Sequence, residues 1–338
     1  MKKITLILCT TLLIVSCISS QNKKKAKTPA NVLDYAKNIT AAQLKTNLYT
    51  YASDEFEGRK TGEPGQKKAI EFLKNQYIAA QIESPIAKGD YFQDIPESFF
   101  SNRAKASENV LAYIKGSEKP DEVIVISAHL DHIGISKNGE INNGADDDGS
   151  GTVAVLEIAK AFKKAVDAGH GPKRTILFLH VTGEEIGLFG SKYYTDVNPV
   201  FPLKNTVADL NIDMIGRVDA KHENNRNYVY LIGSDKLSKE LHDISEAVNK
   251  KYFNMTLDYT YNDEKDPNRF YYRSDHYNFA KNNIPVIFYF NGTHEDYHRP
   301  SDTPDKIQYD LLETRARLVF TTAWELANRD ERIKVDKK

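Results

Sequence analysis

Cysteine is the scarcest reactive side chain in this sequence. Only two cysteines, Cys9 and Cys17, occur among 338 residues, and both lie close to the N-terminus. The remainder of the chain can therefore form no internal disulfide, and it offers no thiolate to a metal ion. Any metal site beyond this point must be built from histidine, aspartate and glutamate.

An excess of charge of either sign is also lacking. The 46 Lys+Arg residues nearly balance the 47 Asp+Glu residues, so the formal net charge is −1. Nucleic-acid-binding proteins usually carry a basic domain or stripe, and this balance argues against such a partner. The hydrophobic fraction of 40% is too high for a disordered polyelectrolyte and is sufficient for an ordinary folded domain.

An almost wholly apolar run occupies residues 4–15, after two lysines. It is too short to span a bilayer comfortably and is typical of a secretory signal peptide. The segment Ile14-Val15-Ser16-Cys17 resembles the bacterial lipobox, in which the cysteine is lipidated. We therefore expect an exported protein that is held to a membrane by lipid on Cys17, on the periplasmic or cell-surface side. Cleavage of a plain signal peptide nearby is the alternative.

A polar segment rich in lysine follows the signal and shows no apolar period. Such a composition is typical of a flexible tether. The predicted organisation is a signal peptide over residues 1–16, a tether over residues 17–38 and one catalytic domain over residues 39–338.

Helix-like and strand-like segments alternate after the tether. Thr40 opens a capping-box pattern that is typical of a helix start, and an amphipathic helix is predicted from Ser150 to Gly169. Apolar runs rich in β-branched residues predict buried strands at 123–126, 176–179, 207–212, 228–232 and 285–290. This alternation predicts an α/β fold whose mostly parallel sheet is covered by helices on both faces.

Functional groups in such sheets collect beyond the carboxyl ends of the strands. The first predicted strand leads into His129 and Asp131, which share one face of an extended chain, whereas His132 points the other way. A metal-binding histidine with a carboxylate behind it fits this spacing. A buried structural histidine is the alternative.

Two groups of adjacent carboxylates follow in the chain. Residues 146–148 are three consecutive aspartates before the amphipathic helix; Asp148 could cap that helix, but capping requires only one carboxylate. Three adjacent negative charges are tolerable if a cation neutralises them or if water solvates them. Glu184 and Glu185 follow the next strand, and a metal-binding glutamate beside a free one suits metal-assisted hydrolysis. Solvation at the surface is the alternative for this pair too.

Two more predicted strands lead into Asp213 and His298. His298 is the last residue of His294-Glu295-x-x-His298, a formal match to the H-E-x-x-H zinc-protease signature. That signature requires a helix, and the glycine before it and the proline after it argue against one. We therefore predict that His298 is the ligand of the two histidines.

Five predicted ligands and one free glutamate thus fall at strand ends or helix starts. The ligands are His129, Asp146, Glu185, Asp213 and His298, and Glu184 is the free glutamate. Two zinc ions that share one carboxylate would use such a set.

These segments resemble metallopeptidase family twenty-eight, the co-catalytic di-zinc exopeptidases typified by bacterial leucyl aminopeptidases. The resemblance runs from about residue 46 to the C-terminus. The motifs that carry it are Ser53-Asp54-Glu55-Phe56-Glu57-Gly58-Arg59 with Thr61-Gly62, Ala128-His129-Leu130-Asp131, Gly144-Ala145-Asp146-Asp147-Asp148-Gly149-Ser150-Gly151, Gly183-Glu184-Glu185, Asp213-Met214, Ser274-Asp275-His276, and Tyr297-His298 followed by Asp302-Thr303.

The resemblance implies a twisted mixed sheet of the zinc-dependent exopeptidase type, two Zn²⁺ ions per chain and a role for each site residue. It assigns His129 and Asp213 to one zinc, Glu185 and His298 to the other, Asp146 as the bridge, Glu184 as the general base and Asp131 as the residue that orients His129. It also implies a cis peptide bond after Asp146.

The expected activity is hydrolysis of peptide substrates by water activated on zinc, with an aminopeptidase favoured. A carboxypeptidase or dipeptidase of the same family is the first alternative, because Arg273 could pair with a substrate carboxylate. Tyr272 and Asp275 are the other predicted substrate contacts. A glutaminyl cyclase-like enzyme with one zinc ion and a binding protein that has lost its ligands are the remaining alternatives.

Overall fold

Apolar strands build one eight-stranded sheet in the part of the chain that the computed structural model describes, residues 30–86 and 89–337. The strands are β1 (Phe92–Ile95), β2 (Ser107–Ile114), β3 (Lys119–His129), β4 (Gly134–Ile135), β5 (Ile141–Asn142), β6 (Arg174–Val181), β7 (Thr206–Ile212), β8 (Tyr228–Ile232), β9 (Thr256–Asp258) and β10 (Val286–Phe290). The spatial order in the sheet is β1-β2-β6-β3-β7-β10-β8-β9, and β4 and β5 form a separate hairpin.

The four central strands, β6, β3, β7 and β10, are all parallel to their neighbours in this group. Strand β2 joins one side of the group and β8 joins the other, both antiparallel. This arrangement confirms the predicted mostly parallel, mixed sheet. Because parallel strands end at the same edge, the residues that follow these four strands are brought to one place.

Helices cover both faces of the sheet, as predicted. They are α1 (Leu33–Ala36), α2 (Ala41–Tyr51), α3 (Pro64–Ala79), α4 (Gly151–Asp167), α5 (Phe189–Asp196), α6 (Lys239–Tyr252), α7 (His276–Ala280) and α8 (Tyr309–Asn328). Along β3, Ile124 and Ile126 join a core with side chains of α4 and α8, whereas Val123 and Val125 join one with side chains of α5 and α7. The alternation follows from the two-residue period of a strand.

Helix α2 begins where the sequence predicts. The Thr40 hydroxyl accepts a hydrogen bond from the backbone N–H of Gln43 at 3.2 Å, which satisfies one of the free donors in the first turn.

The folded unit begins at Asn31, inside the predicted tether of residues 17–38. Val32 and Ala36 lie four residues apart, so they share a face around α1, and both are buried in the main core. The segment before residue 39 therefore already packs onto the domain, and Tyr35 adds a stacking contact with Trp324.

Within residues 30–86 and 89–337, none of the helices combines the length with the apolar character that a transmembrane span requires. The predicted signal peptide and the predicted lipidation site, Cys17, lie outside the residues that the structure describes.

Candidate metal centre

The ends of the central strands bring four predicted ligands together. His129 is the last residue of β3, Asp213 directly follows β7, and Glu185 and His298 lie in the segments after β6 and β10. His129 Nε2 lies 3.6 Å from Asp213 Oδ1, and His298 Nε2 lies 3.2 Å from Glu185 Oε2. The structure thus brings together the members of each predicted pair.

Asp147 lies between the two groups. Its Oδ1 atom is 3.2 Å from His129 Nε2, and its Oδ2 atom is 3.1 Å from His298 Nε2. Two donors of one tetrahedral zinc ion, each about 2.0–2.1 Å from the metal, lie roughly 3.3 Å apart. The separations in both groups are therefore of the size expected for donors that share an ion.

Asp146, the predicted bridge, faces a different part of the molecule. Its carboxylate accepts a hydrogen bond from the Gly216 N–H at 2.7 Å and lies 3.2 Å from His294 Nε2. Its backbone N–H is held by the buried carboxylate of Asp302. Asp147, rather than the predicted Asp146, thus lies between His129 and His298, because these contacts turn Asp146 away from both histidines.

Asp148, the third aspartate of the run, serves the backbone. It accepts hydrogen bonds from the N–H groups of His129, Gly151 and Met214, and the bond from Gly151, the first residue of α4, satisfies one of the free donors at the start of that helix, although the N-cap residue itself is Ser150. The three adjacent carboxylates are all buried, so water does not solvate them; instead each points to different partners. The cis peptide bond lies between Asp147 and Asp148, one residue later than predicted.

Asp131 lies behind His129, but its contact with the imidazole differs from the predicted one. The backbone carbonyl of Asp131 is 3.0 Å from His129 Nδ1, whereas its nearest carboxylate oxygen is 3.9 Å away. The carboxylate accepts hydrogen bonds from the Thr61 hydroxyl and from the backbone N–H of Glu184. It therefore fixes the start of the Glu184 turn, while the main chain orients the His129 ring.

His132 is a residue that the strand-based reasoning missed. The alternation of faces applies only within a strand, and β3 ends at His129, so the chain after that point can turn His132 inward. His132 Nδ1 lies 2.7 Å from Glu185 Oε1 and 3.7 Å from Asp147 Oδ2. The four-residue segment His129-Leu130-Asp131-His132 was the available signal, since it holds two histidines around one aspartate.

Several buried polar atoms in this cluster lack a hydrogen-bond partner. They are His129 Nε2, both ring nitrogens of His132, Asp147 Oδ2 and Glu185 Oε1. An unsatisfied buried polar group costs about 1–3 kcal/mol, so their concentration at one point requires compensation. Imidazole and carboxylate donors are what zinc binds in proteins, and the residues present therefore fit the metal that the sequence suggested.

The electrostatics of the cluster favour positive charge at its centre. Burial disfavours the imidazolium form of His298, but Asp147 and Glu185 outweigh this effect and raise the pKa of His298 to about 10. Burial raises the pKa of Glu184 well above its ordinary value, and the charges of Glu185 and Asp213 raise it further. A divalent cation would supply the positive charge that balances these buried carboxylates.

A buried arginine holds the loops around the centre in place. Arg59 is fully buried and donates hydrogen bonds to the carbonyl oxygens of Leu130, Asn143, Gly144 and Tyr51. Three of these carbonyls flank the segments that carry His129, His132 and Asp147. The sequence motif that contains Arg59 is thus connected to the metal centre through the backbone.

A cleft opens beside the cluster. Arg273, Tyr297 and Glu184 line both an inner pocket, whose apolar walls include Phe270 and Phe288, and an outer groove. Tyr272 lines the groove, so two of the three predicted substrate contacts, Tyr272 and Arg273, lie in the cleft.

Asp275, the third predicted substrate contact, does not line this cleft. It is fully buried and accepts a hydrogen bond from the Ser191 hydroxyl, and burial raises its pKa to about 7. The start of the short helix α7 directs its side chain into the protein interior.

Comparisons with known proteins identify the family and the fold of the chain. The sequence model of peptidase family M28 matches residues 109–323. Aminopeptidase YwaD of Bacillus subtilis (strain 168) is 26% identical over 246 residues, which cover 71% of this chain and 48% of that protein. This chain spans about half the length of the first curated relatives that it matches.

Solved structures show the same fold. The LapA aminopeptidase of Legionella pneumophila superposes with a TM-score of 0.69 at 21% identity, covering 96% of this chain and 81% of that one. A glutaminyl cyclase of Porphyromonas gingivalis superposes with a TM-score of 0.67 at 18% identity, covering 84% and 97%. At these identities the likeness extends to the fold alone.

Proposed function

Because this chain belongs to peptidase family M28, we propose that it is a zinc-dependent exopeptidase, and that aminopeptidase activity is its main activity. One observation carries the proposal: the two oxygens of the Asp147 carboxylate face two different histidines, His129 and His298. A single carboxylate that is shared in this way suits a pair of metal ions. The similarity to an aminopeptidase from Bacillus subtilis supports cleavage at the amino end of the substrate rather than at its carboxyl end.

The two metal positions use different residues. His129 and Asp213 would hold one zinc ion, Glu185 and His298 would hold the other, and Asp147 would contribute to both. Zinc, when bound, acts as a Lewis acid that lowers the pKa of water from 15.7 to about 7 and polarises a carbonyl group. Glu184 would accept a proton from the attacking water and return it to the leaving amine. Asp131 would hold Glu184 in place through its backbone N–H.

Metal content separates this proposal from the alternatives. Elemental analysis of the purified, zinc-saturated chain should find two zinc ions. One tightly held ion would favour the glutaminyl cyclase-like alternative, which the similar fold of the Porphyromonas gingivalis enzyme keeps relevant. No bound ion would favour a binding protein.

A second candidate function, carboxypeptidase or dipeptidase activity, rests on Arg273. Arg273 is an exposed residue whose guanidinium carbon lies 4.9 Å from the centre of the Phe270 ring, and its side chain forms no ion pair with a carboxylate of the described residues. It therefore remains available to a carboxylate of the substrate. Both activities can be tested with one set of peptides that differ only in their blocked ends.

We predict that the wild-type chain cleaves a free dipeptide and its C-terminal amide, and does not cleave the N-acetylated dipeptide. Arg273→Gln should lower kcat/KM for the free dipeptide relative to the amide by about tenfold, because it removes a charge-assisted hydrogen bond of roughly 1.5 kcal/mol. Arg269→Gln is the matched control, since Arg269 packs over Tyr272 in the same way but does not line the cleft. Cleavage of the acetylated dipeptide with failure on the amide would instead establish a carboxypeptidase.

Lipid anchoring is a separate proposal that rests on the sequence of residues 14–17. Cys17→Ser should release the protein from the membrane fraction or block removal of the signal peptide, because serine has no thiol to form the thioether bond to the lipid. Fractionation of expressing cells and gel mobility would measure both effects. A variant that stays in the membrane fraction with unchanged mobility would contradict lipidation at Cys17.

A further inference from the structure

We propose that His132 is a fourth protein ligand of the metal position formed by Asp147, Glu185 and His298. This inference rests on the proposed zinc-dependent function and adds a ligand that neither the motifs nor the family resemblance assigns. It makes the two metal positions unequal, with four protein donors at one of them and three at the other.

The position of the His132 ring carries the inference. Nδ1 lies 2.7 Å from Glu185 Oε1 and 3.7 Å from Asp147 Oδ2, and the ring is almost fully buried. Despite the short separation, neither ring nitrogen makes a hydrogen bond of acceptable geometry, and neither does Glu185 Oε1. These buried atoms lie close together without being aligned for a hydrogen bond. Ligand atoms that surround a shared cation have the same arrangement.

The surroundings hold the ring in this orientation. The His132 backbone N–H donates to the Arg59 carbonyl, and the ring packs edge-on against the His298 ring at 5.8 Å. On its other side lies Gly144, where an added Cβ atom would come within 2.5 Å of the imidazole carbons. The absence of a side chain at Gly144 therefore makes the space that the ring occupies. A ring held by backbone and packing on several sides is preorganised for binding.

The consequence concerns the two metal positions. Zinc sites with four protein ligands are closed and serve structure, whereas sites with three protein ligands leave a place for water or substrate. With His132 included, the position near His298 has four protein donors, and the position near His129 has three: His129, Asp213 and Asp147. We therefore expect the His298 position to bind zinc more tightly and the His129 position to exchange its remaining ligand.

His132→Asn tests the assignment. The Asn amide can still donate a hydrogen bond to Glu185, but it is a poor zinc ligand, so the variant separates coordination from hydrogen bonding. Competition with a chelator should show one of the two zinc affinities reduced by more than about 100-fold, beyond the 10–100-fold expected when only a supporting contact is lost. The visible absorption spectrum of the Co²⁺-substituted variant should change, because one cobalt ion loses a nitrogen donor. His180→Asn is the control for loss of a buried imidazole, since His180 contacts Tyr77 away from the centre.

His132→Cys gives a second and positive measurement. The domain contains no other cysteine, so a thiolate-to-cobalt charge-transfer band in the Co²⁺ form would place position 132 in the coordination sphere. An unchanged cobalt spectrum in His132→Asn together with no such band in His132→Cys would overturn the inference. The proposed function fails separately: a wild-type chain that binds no zinc contradicts both proposals, whereas two ions with unaltered spectra in the variants contradict only the role of His132.

Discussion

Asp147→Asn should reduce bound zinc from two ions per chain to fewer than one, and should lower turnover by about 10⁴-fold or more, the scale seen when a member of a catalytic unit is removed. The reason is that Asp147 lies between His129 and His298. Its Oδ1 atom is 3.2 Å from His129 Nε2, and its Oδ2 atom is 3.1 Å from His298 Nε2. Loss of one oxygen donor and of the negative charge affects both metal positions at once. Elemental analysis after dialysis and steady-state kinetics on an amino-acid amide would measure the two effects.

Asp146→Asn is the matched control, because it changes the neighbouring residue by the same atoms. Asp146 accepts the Gly216 N–H and faces His294, so its loss should lower the free energy of unfolding by about 1–3 kcal/mol while both zinc ions stay bound. The comparison decides between the two adjacent aspartates. If Asp146→Asn lost both ions and Asp147→Asn kept them, the bridge would be the residue predicted from the sequence.

Glu184→Gln should lower turnover by at least about 10²-fold, the lower end of general-base contributions, with zinc content and fold unchanged. Glutamine keeps the size of the side chain and most of its hydrogen bonding, but it cannot accept the proton. Glu184 suits the role because it lines the cleft, and burial with its carboxylate neighbours raises its pKa well above the ordinary value. A carboxylate with a raised pKa is a stronger proton acceptor than an exposed glutamate.

Glu185→Gln is the informative comparison for that experiment. The Oε2 atom of Glu185 lies 3.2 Å from His298 Nε2. Changing Glu185 to glutamine should therefore weaken the binding of one zinc ion rather than remove a base. Zinc analysis and kinetics on both variants would separate the roles. Loss of zinc from Glu184→Gln with retention of both ions in Glu185→Gln would reverse the assignment, and full activity of Glu184→Gln would refute the hydrolytic mechanism.

The apolar runs and the residues that follow them were sufficient to predict the architecture and to indicate which residues meet at one edge of the sheet. Each of the four central strands is visible in the sequence as an apolar run. A parallel arrangement brings the carboxyl ends of these strands to one edge of the sheet, independently of the conformation of the loops. His129, Glu185, Asp213 and His298 are brought to that edge by this rule, because each lies at the end of such a strand or shortly after it. The capping of α2 by Thr40 was equally local and equally predictable.

Choices among adjacent residues required the tertiary structure. Three consecutive aspartates are identical in local chemistry, and only the distant contacts of Asp146 with Gly216, His294 and Asp302 leave Asp147 to face the histidines. Likewise, a rule based on strand periodicity ends where β3 ends, so nothing local determines the direction of His132. In both cases the side-chain direction is determined by segments far away in the chain, and a sequence pattern contains no information on where those segments meet.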